Sequence, residues 1–307
     1  MTVTVVIPLY NKAHFIKRSI DSVLQQSYQD FHIIVVNDGS TDEGPEIVSS
    51  INDSRIHLVS QTNQGVSAAR NRGIAESTDE YVAFLDADDE WKSDMLSTMV
   101  NLHERYPDCG VFGTRFERIG SNGDILPAIV HKIYFGEEGG LLTNYFEVAA
   151  HSDPPFCSSS MMISKKAMNV VGGFPTNIKQ GEDLLTWARL AIRFPIAYSM
   201  KSLAVFYTQR NTYGKPVRIP PKDDIVGNEL EALYLSHPNI QGLKEYVGSW
   251  HKMRASMFMR LHHYGSDARA EIHKSLRWNP KVKQLYLYWL LLLLPYSLRM
   301  KLLATRA

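Results

Sequence analysis

Phe31-His-Ile-Ile-Val-Val-Asn-Asp-Gly-Ser-Thr-Asp42 is an apolar, largely β-branched run that stops abruptly at two polar residues and a glycine turn. A strand that is apolar on both faces is covered by helices on both sides, as in a parallel sheet. The same design recurs at residues 3–7 and 81–85 and, in shorter form, at 56–59. Between these runs lie apolar residues at helical spacing: Phe15, Ile16, Ile20, Val23 and Leu24, then residues 46–51, then 66–75. This βαβαβαβ alternation predicts an open, mostly parallel, doubly wound α/β domain, with its ligand crevice at the carboxyl ends of the strands.

The unusual residues fall at those ends. Pro8-Leu-Tyr-Asn11 follows the first strand, Asn37-Asp-Gly-Ser-Thr-Asp42 the second and Asp86-Ala-Asp-Asp89 the fourth. Three polar loops therefore converge on one sheet edge.

The whole composition fits a globular chain, with 44% hydrophobic and 21% charged residues among 307. Lys and Arg number 33 against 32 Asp and Glu, so no global basic field argues for a nucleic-acid partner. Cys109 and Cys157 are far apart and form no Cys/His cluster, which argues against a zinc site or a disulfide scaffold. The N-terminus has no basic region ahead of its first apolar run, and a cytoplasmic location is expected.

Further along, a helix is expected over residues 92–105 and a strand around Val111, followed by a looser stretch from 114 to 153. Order returns at 158–164, and residues 182–194 read as a helix that opens on two adjacent acids. Residues 215–222, with three prolines, read as a linker. Beyond it helices are expected over 224–235, 243–263 and 266–276. This divides the chain into a domain of residues 1–214 and a helical region of 215–307.

Two carboxylates one residue apart at a strand end, Asp86 and Asp88, can turn toward one site and hold a hard divalent cation. They can equally cap the helix that follows. Asp38, directly at a strand end, can accept the imide N–H of a uracil-like base or serve as a turn residue, and the ring of Tyr10 can stack on such a base or pack under its loop. Arg70, on a helix of small residues, offers a fixed donor fork to a nucleotide or to solvent. Glu182 and Asp183, read by themselves, complement the N-terminus of a helix.

Four ordered motifs carry a family resemblance: Val5-Val-Ile-Pro-Leu-Tyr-Asn11, the run from Gln26 to Asp42, Asn63-Gln-Gly-Val-Ser-Ala-Ala-Arg-Asn71 and Phe84-Leu-Asp-Ala-Asp-Asp89. Together they resemble the family 2 glycosyltransferases of GT-A fold. The resemblance is close over residues 2–118 and looser through Gly172-Gly-Phe174 and Gly181-Glu-Asp183 to Tyr207. His32 stands where that family often has Glu.

The resemblance implies an inverting, metal-dependent transferase of a nucleotide diphosphate sugar, UDP-linked by expectation, acting in cell-surface polysaccharide synthesis. Its acceptor would be a hydroxyl of a glycan or a polyprenyl-linked glycan. Carried over, it implies that Pro8, Tyr10, Asn11, Asp38, Arg70, Asp86 and Ala87 bind the donor, with Asp86 on the ribose. Asp88 would hold Mg²⁺ or Mn²⁺ against the diphosphate. Asp183 would act as general base, with Glu182 beside it, and Arg210 falls in a loop that the family often places near the diphosphate. A non-catalytic nucleotide-sugar or glycan-binding protein on the same fold is the alternative. A nucleotidyltransferase would be expected to carry a Gly-rich basic loop after the first strand, which Pro8-Leu-Tyr-Asn11 is not.

From residue 272 to the end there are seven Lys or Arg and no acid. Residues 284–298 are uncharged and rich in Leu, Tyr and Trp, too short at about 15 residues for a helix that spans a bilayer. Such a segment suits an interfacial helix on the inner face of the cell membrane, or packing against the catalytic domain or the second copy in a homodimer.

Overall fold

The computed structural model describes residues 1–120, 122–207 and 219–304. Arg210, most of its loop and residues 215–218 of the proline-rich linker lie outside the described residues.

The chain opens with β1 (Val3–Leu9), α1 (Ala13–Leu24), β2 (Phe31–Asp38), α2 (Gly44–Ser49), β3 (Ile56–Gln61), α3 (Val66–Glu76) and β4 (Tyr81–Phe84). There follow β5 (Glu90–Trp91), α4 (Met95–Arg105), β6 (Val111–Ile119), β7 (Ile125–Pro127), β8 (Gly140–Leu141) and α5 (Tyr145–His151). A 3₁₀ turn at Ser158–Ser160 leads into β9 (Met161–Ser164), α6 (Lys165–Val171), α7 (Glu182–Arg193) and β10 (Ile196–Tyr207). The last five helices are α8 (Ile225–Ser236), α9 (Leu243–Met259), α10 (Gly265–Trp278), α11 (Lys283–Leu291) and α12 (Tyr296–Ala304).

Two compact units result. One comprises Met1–Tyr145 with Ser152–Thr212, the other Phe146–His151 with Tyr213–Ala307. The division is discontinuous, because most of α5 clusters with the C-terminal helices.

In the first unit the sheet order is β3-β2-β1-β4-β9-β6-β10-β5, with β7 beside β6 and β8 beside β10. The pairs β2–β3, β1–β2 and β1–β4 are all parallel, as the apolar runs predict. Beyond β4 the sheet is mixed, since β9 runs antiparallel to both β4 and β6. The two-residue β5, unmarked in the sequence pattern, pairs antiparallel with β10. Strand alternation sorts the core: Val5, Ile7, Ile33 and Val35 pack on one face with Ile16, Ile20 and Val23 of α1. Ile34 and Val36 point to the other face, toward Ala69 of α3.

The chain leaves β1 and β2 through residues suited to a left-handed backbone. Asn11 takes φ of 51°, which Asn tolerates, and its Oδ1 accepts from the Thr41 backbone N–H at 2.8 Å. Gly39 takes φ of 73°, and a Cβ there would lie 2.9 Å from the Asn63 backbone nitrogen. No other residue type fits that turn without strain.

The second unit is built around α9 and α10, against which Leu285, Tyr288, Leu291 and Leu292 are buried with Phe258, Met259 and Ile272. The tail is not one helix over 284–298. It breaks into α11 and α12 at Pro295, whose carbonyl receives the Arg299 N–H at 3.0 Å, because proline cannot continue the α-helical ladder. One face of α11 packs inside its own unit, against α9 and α10, a setting that the sequence reading did not name. Among the described residues no helix is long and apolar enough to cross a membrane.

Asp224, His251 and Glu271 form a buried cluster in this unit, with ligand-type atoms within 4.8 Å of one another. Arg254 Nε lies 3.1 Å from a carboxylate oxygen of both Asp224 and Glu271. Trp250 Nε1 donates to Asp224, and His251 Nδ1 lies 2.8 Å from Glu271 Oε2. A guanidinium supplies the positive charge between these carboxylates, so the cluster is a structural ion-pair network rather than a metal cage.

Replacing Gly39 with Ala is expected to lower folding stability by about 1–2 kcal/mol or more. Thermal unfolding checks it, and an unchanged melting temperature would contradict the tight approach of the β2 turn to Asn63.

Candidate active site

The loops that follow β1 and β2 meet at one sheet edge. Pro8, next to last in β1, pairs with Val36 across the ladder and is half-buried, whereas Tyr10 just beyond the strand is 48% exposed. The backbone N–H of Ala13 donates to Asp42 Oδ2 at 2.8 Å and that of Asn11 to Ser40 Oγ at 3.2 Å, which fastens the first loop to the second.

Asp38 is 3% exposed and organises the third loop. Its Oδ1 accepts from Gln61 Nε2 at 2.8 Å and from the Gln64 N–H at 2.9 Å, and its Oδ2 accepts from the Gly65 N–H at 2.8 Å. These account for three of the four acceptor positions of a carboxylate. The acid thus fixes the entry to α3, and with it Arg70.

Arg70 is 3% exposed. Its Nη2 donates to Asp86 Oδ1 at 2.7 Å, its Nη1 lies 3.7 Å from Glu182 Oε1, and its guanidinium sits 5.3 Å from the centre of the Phe174 ring. Burial opposes the charge of Arg70, but Asp86, Glu182 and Asp183 outweigh it and raise its pKa. The Nε and Nη1 atoms are buried yet make no hydrogen bond among the described residues. Such unmet donors cost about 1–3 kcal/mol each unless a ligand satisfies them.

The Asp86-Ala-Asp-Asp89 loop does not cap the next helix. α4 begins only at Met95, with Asp94 at its N-cap. Each acid instead has a dedicated neighbour. Asp86 faces Arg70, and its backbone N–H donates to Ser159 Oγ at 3.1 Å. Ala87 is buried, and its carbonyl accepts from Ser19 Oγ at 2.9 Å. Asp88 is buried, and its Oδ2 lies 2.6 Å from Lys12 Nζ. Asp89 Oδ2 accepts from Ser159 Oγ at 2.6 Å. A hard carboxylate oxygen at Asp88 that already attracts an ammonium is chemically suited to Mg²⁺ or Mn²⁺.

Glu182 and Asp183 occupy the first turn of α7, after Gly181 in a left-handed conformation. Asp183 Oδ1 accepts from the Leu184 N–H at 2.8 Å. Burial, and then the charge of Asp183, push Glu182 up to about 7 against the opposing pull of Arg70. Burial likewise raises Asp183, again with Arg70 opposing. Glu182 is therefore poised to exchange protons near neutral pH, and Asp183 holds a proton more readily than an ordinary carboxylate.

Sequence reasoning passed over Lys12, Arg18, Ser159 and Asn71. Lys12 adjoins a quoted motif, but nothing in the order of residues shows that it reaches Asp88, 76 positions away. Asn71 grips Phe174 with both ends of its amide, accepting from the backbone N–H at 2.8 Å and donating to the carbonyl at 2.7 Å. A Cβ on Gly173, where φ is 70°, would lie 2.7 Å from Asn71 Oδ1, which explains the Gly172-Gly-Phe174 signal.

With this geometry in view, the comparisons with known proteins decide the family. The model of Glycosyl transferase family 2 matches residues 4–172. The chain belongs to that family.

An uncharacterized glycosyltransferase of Rickettsia bellii is 32% identical over 193 residues, 62% of this chain and 26% of that protein. The chain spans about a third or less of the length of the Rickettsia relatives it matches. A Bacillus subtilis protein named as a teichuronic acid biosynthesis glycosyltransferase, TuaG, is 30% identical over 209 residues, 67% of this chain and 78% of that protein. S. aureus TarS 1-349 in complex with UDP-GlcNAc superposes with a TM-score of 0.68 at 15% identity, covering 91% of this chain and 81% of that one. That likeness establishes a shared fold.

The raised Glu182 gives a pH signature. Up to about pH 7 the folded protein holds a proton on this group that the unfolded chain releases near its ordinary value of 4.5. Stability therefore falls as pH rises through that window, because the folded state binds more protons there. Glu182→Gln is expected to flatten the slope in denaturant unfolding between pH 4.5 and 7, and an unchanged slope would contradict the assignment.

Proposed function

We propose that the chain transfers a sugar from a nucleotide diphosphate donor, UDP-linked, to a hydroxyl of a glycan or lipid-linked acceptor in cell-surface polysaccharide synthesis. The observation that carries this reading is Arg70, a buried guanidinium with two unmet donors that joins the donor-side acid Asp86 to the acids of α7. The TarS complex with UDP-GlcNAc and the name of TuaG support the choice of donor and the polysaccharide setting.

In this reading residues 1–214 form the catalytic domain. Tyr10, with its exposed ring, stacks on the base at the end of β1, beside Pro8 and Asn11. Asp38 takes the imide N–H, and Arg70 supplies donors to the base and its surroundings. Asp86 holds the ribose, on the loop that Ala87 anchors. Asp88 would hold Mg²⁺ or Mn²⁺, which when bound neutralises charge on the departing diphosphate. Asp183 removes the proton of the attacking hydroxyl, with Glu182 beside it. A single displacement from the face opposite the leaving group inverts the anomeric carbon.

Asp183→Asn is expected to lower kcat about 10²- to 10⁴-fold while UDP still raises the melting temperature in the presence of Mn²⁺. Asp88→Ala should abolish the Mn²⁺-dependent part of that rise. Stabilisation by UDP with no turnover of any UDP-sugar would instead mark a binding protein on this fold. No response to UDP, with or without Mn²⁺, would overturn the reading.

The helical unit supports a second element of the proposal, peripheral attachment to the inner face of the cell membrane. On α11 and just beyond it, Tyr286, Trp289, Leu290 and Leu293 are exposed at i, i+3, i+4 and i+7. They form an apolar stripe opposite the buried Leu285, Tyr288 and Leu292. An apolar stripe in a segment with seven cations and no acid suits an anionic lipid surface. The protein should float with vesicles containing phosphatidylglycerol, and the double variant Trp289→Glu, Leu293→Glu should not. Equal flotation of that variant would sink the attachment proposal.

A further inference from the structure

Lys12 has no role in the scheme above, yet its contact is among the shortest ion pairs in the first unit. It precedes α1, and its Nζ lies 2.6 Å from Asp88 Oδ2. The Asp88 side chain is 5% exposed and that of Lys12 is 22% exposed, so the ammonium reaches a buried acid from a partly open position. The backbone around it is fixed. Asn11 is held in its left-handed conformation by Thr41, and the Ala13 N–H is held by Asp42. Arg18, one turn and a half further along α1, donates from Nη2 to the Asp88 carbonyl at 2.7 Å. Its guanidinium also lies 3.7 Å from the centre of the Tyr207 ring and 3.3 Å from Glu90. Arg18 is thus clamped on three sides, whereas Lys12 is a flexible point charge with a route to solvent.

Resting on the assignment of Asp88 as the metal-holding acid, we infer that Lys12 is a built-in counter-cation that makes metal binding conditional on the donor diphosphate. An ammonium 2.6 Å from Asp88 Oδ2 opposes a divalent cation on the same carboxylate, since the two positive charges repel at short range in a poorly solvated site. Without the donor, a metal ion must evict Lys12 into a setting that still contains the metal's own charge. A diphosphate supplies the anionic oxygens that draw the ammonium away from Asp88. Metal and nucleotide therefore favour each other beyond any direct coordination between them, and by linkage the effect is reciprocal. The protein avoids filling the site with metal while the donor is absent.

The test is Mn²⁺ binding, followed by electron paramagnetic resonance, with and without UDP, in the full chain as wild type, Lys12→Gln and Lys12→Arg. Lys12→Gln is expected to bind Mn²⁺ about tenfold more tightly without nucleotide, within the 5- to 150-fold range usual for coupled sites. The factor by which UDP tightens Mn²⁺ binding should shrink correspondingly, and Lys12→Arg should behave like wild type. Thermal unfolding of each variant without ligands verifies that the fold is intact, and Lys12→Arg reports on charge even where Lys12→Gln is destabilised. Nucleotide-free Mn²⁺ affinity equal to wild type in Lys12→Gln would overturn the inference while leaving Asp88 as metal ligand. Failure of the wild type to bind Mn²⁺ even with UDP would remove the metal role of Asp88 and this inference with it.

Discussion

A single buried cation organises the candidate site of this protein. The Arg70 guanidinium, 3% exposed, lies among Asp86, Glu182 and Asp183, which belong to two elements far apart in sequence. Taking a guanidinium out of water is costly, and only the surrounding carboxylates offset that cost. The converse also holds, because without Arg70 three acids would face one another with little solvent between them. Position therefore matters on every side. Asp38 fixes the loop that starts α3, and Asn71 ties α3 to the Phe174 backbone just ahead of α7. The Phe174 ring beneath the guanidinium packs edge-on against both Phe84 and Trp187, so the charged cluster rests on the aromatic core.

Charge is balanced locally rather than over the whole surface. Asp86 has Arg70, Asp88 has Lys12 and Asp89 has the Ser159 hydroxyl, although the chain's formal charge is only +1. A ligand that enters such a site exchanges partners with groups already paired. Specificity follows, because a molecule that cannot replace the displaced contacts leaves buried charge unmet.

The C-terminal unit uses the same physics for a different end. Asp224, Arg254, His251 and Glu271 form a buried network that pins α8, α9 and α10 together, with the Trp250 indole N–H also spent on Asp224. Around it the apolar residues of α11 are divided between an inner face on α9 and α10 and an outer stripe that the unit itself does not bury.

Much of the first unit was legible in the residues alone. Apolar runs at 3–7, 31–36, 56–59 and 81–85 marked four parallel strands, and the polar residues at their ends marked one edge, because strand order and crossover handedness leave few ways to arrange βαβ units. What remained open was contact over long separations. Whether Asp88 caps a helix or faces a cation depended on where Lys12 falls, 76 residues away, and on the start of α4 at Met95. Likewise β5 and the antiparallel β9 turned on pairing that no local pattern carries, whereas Pro295 marked the break in the tail locally, through its missing N–H. Residue types and their periodicity determined the parallel β1–β4 part of the sheet and its polar edge, since those depend on local backbone preference and burial. Tertiary structure alone decided which charge each acid meets, because that depends on distances between segments that the chain order leaves free.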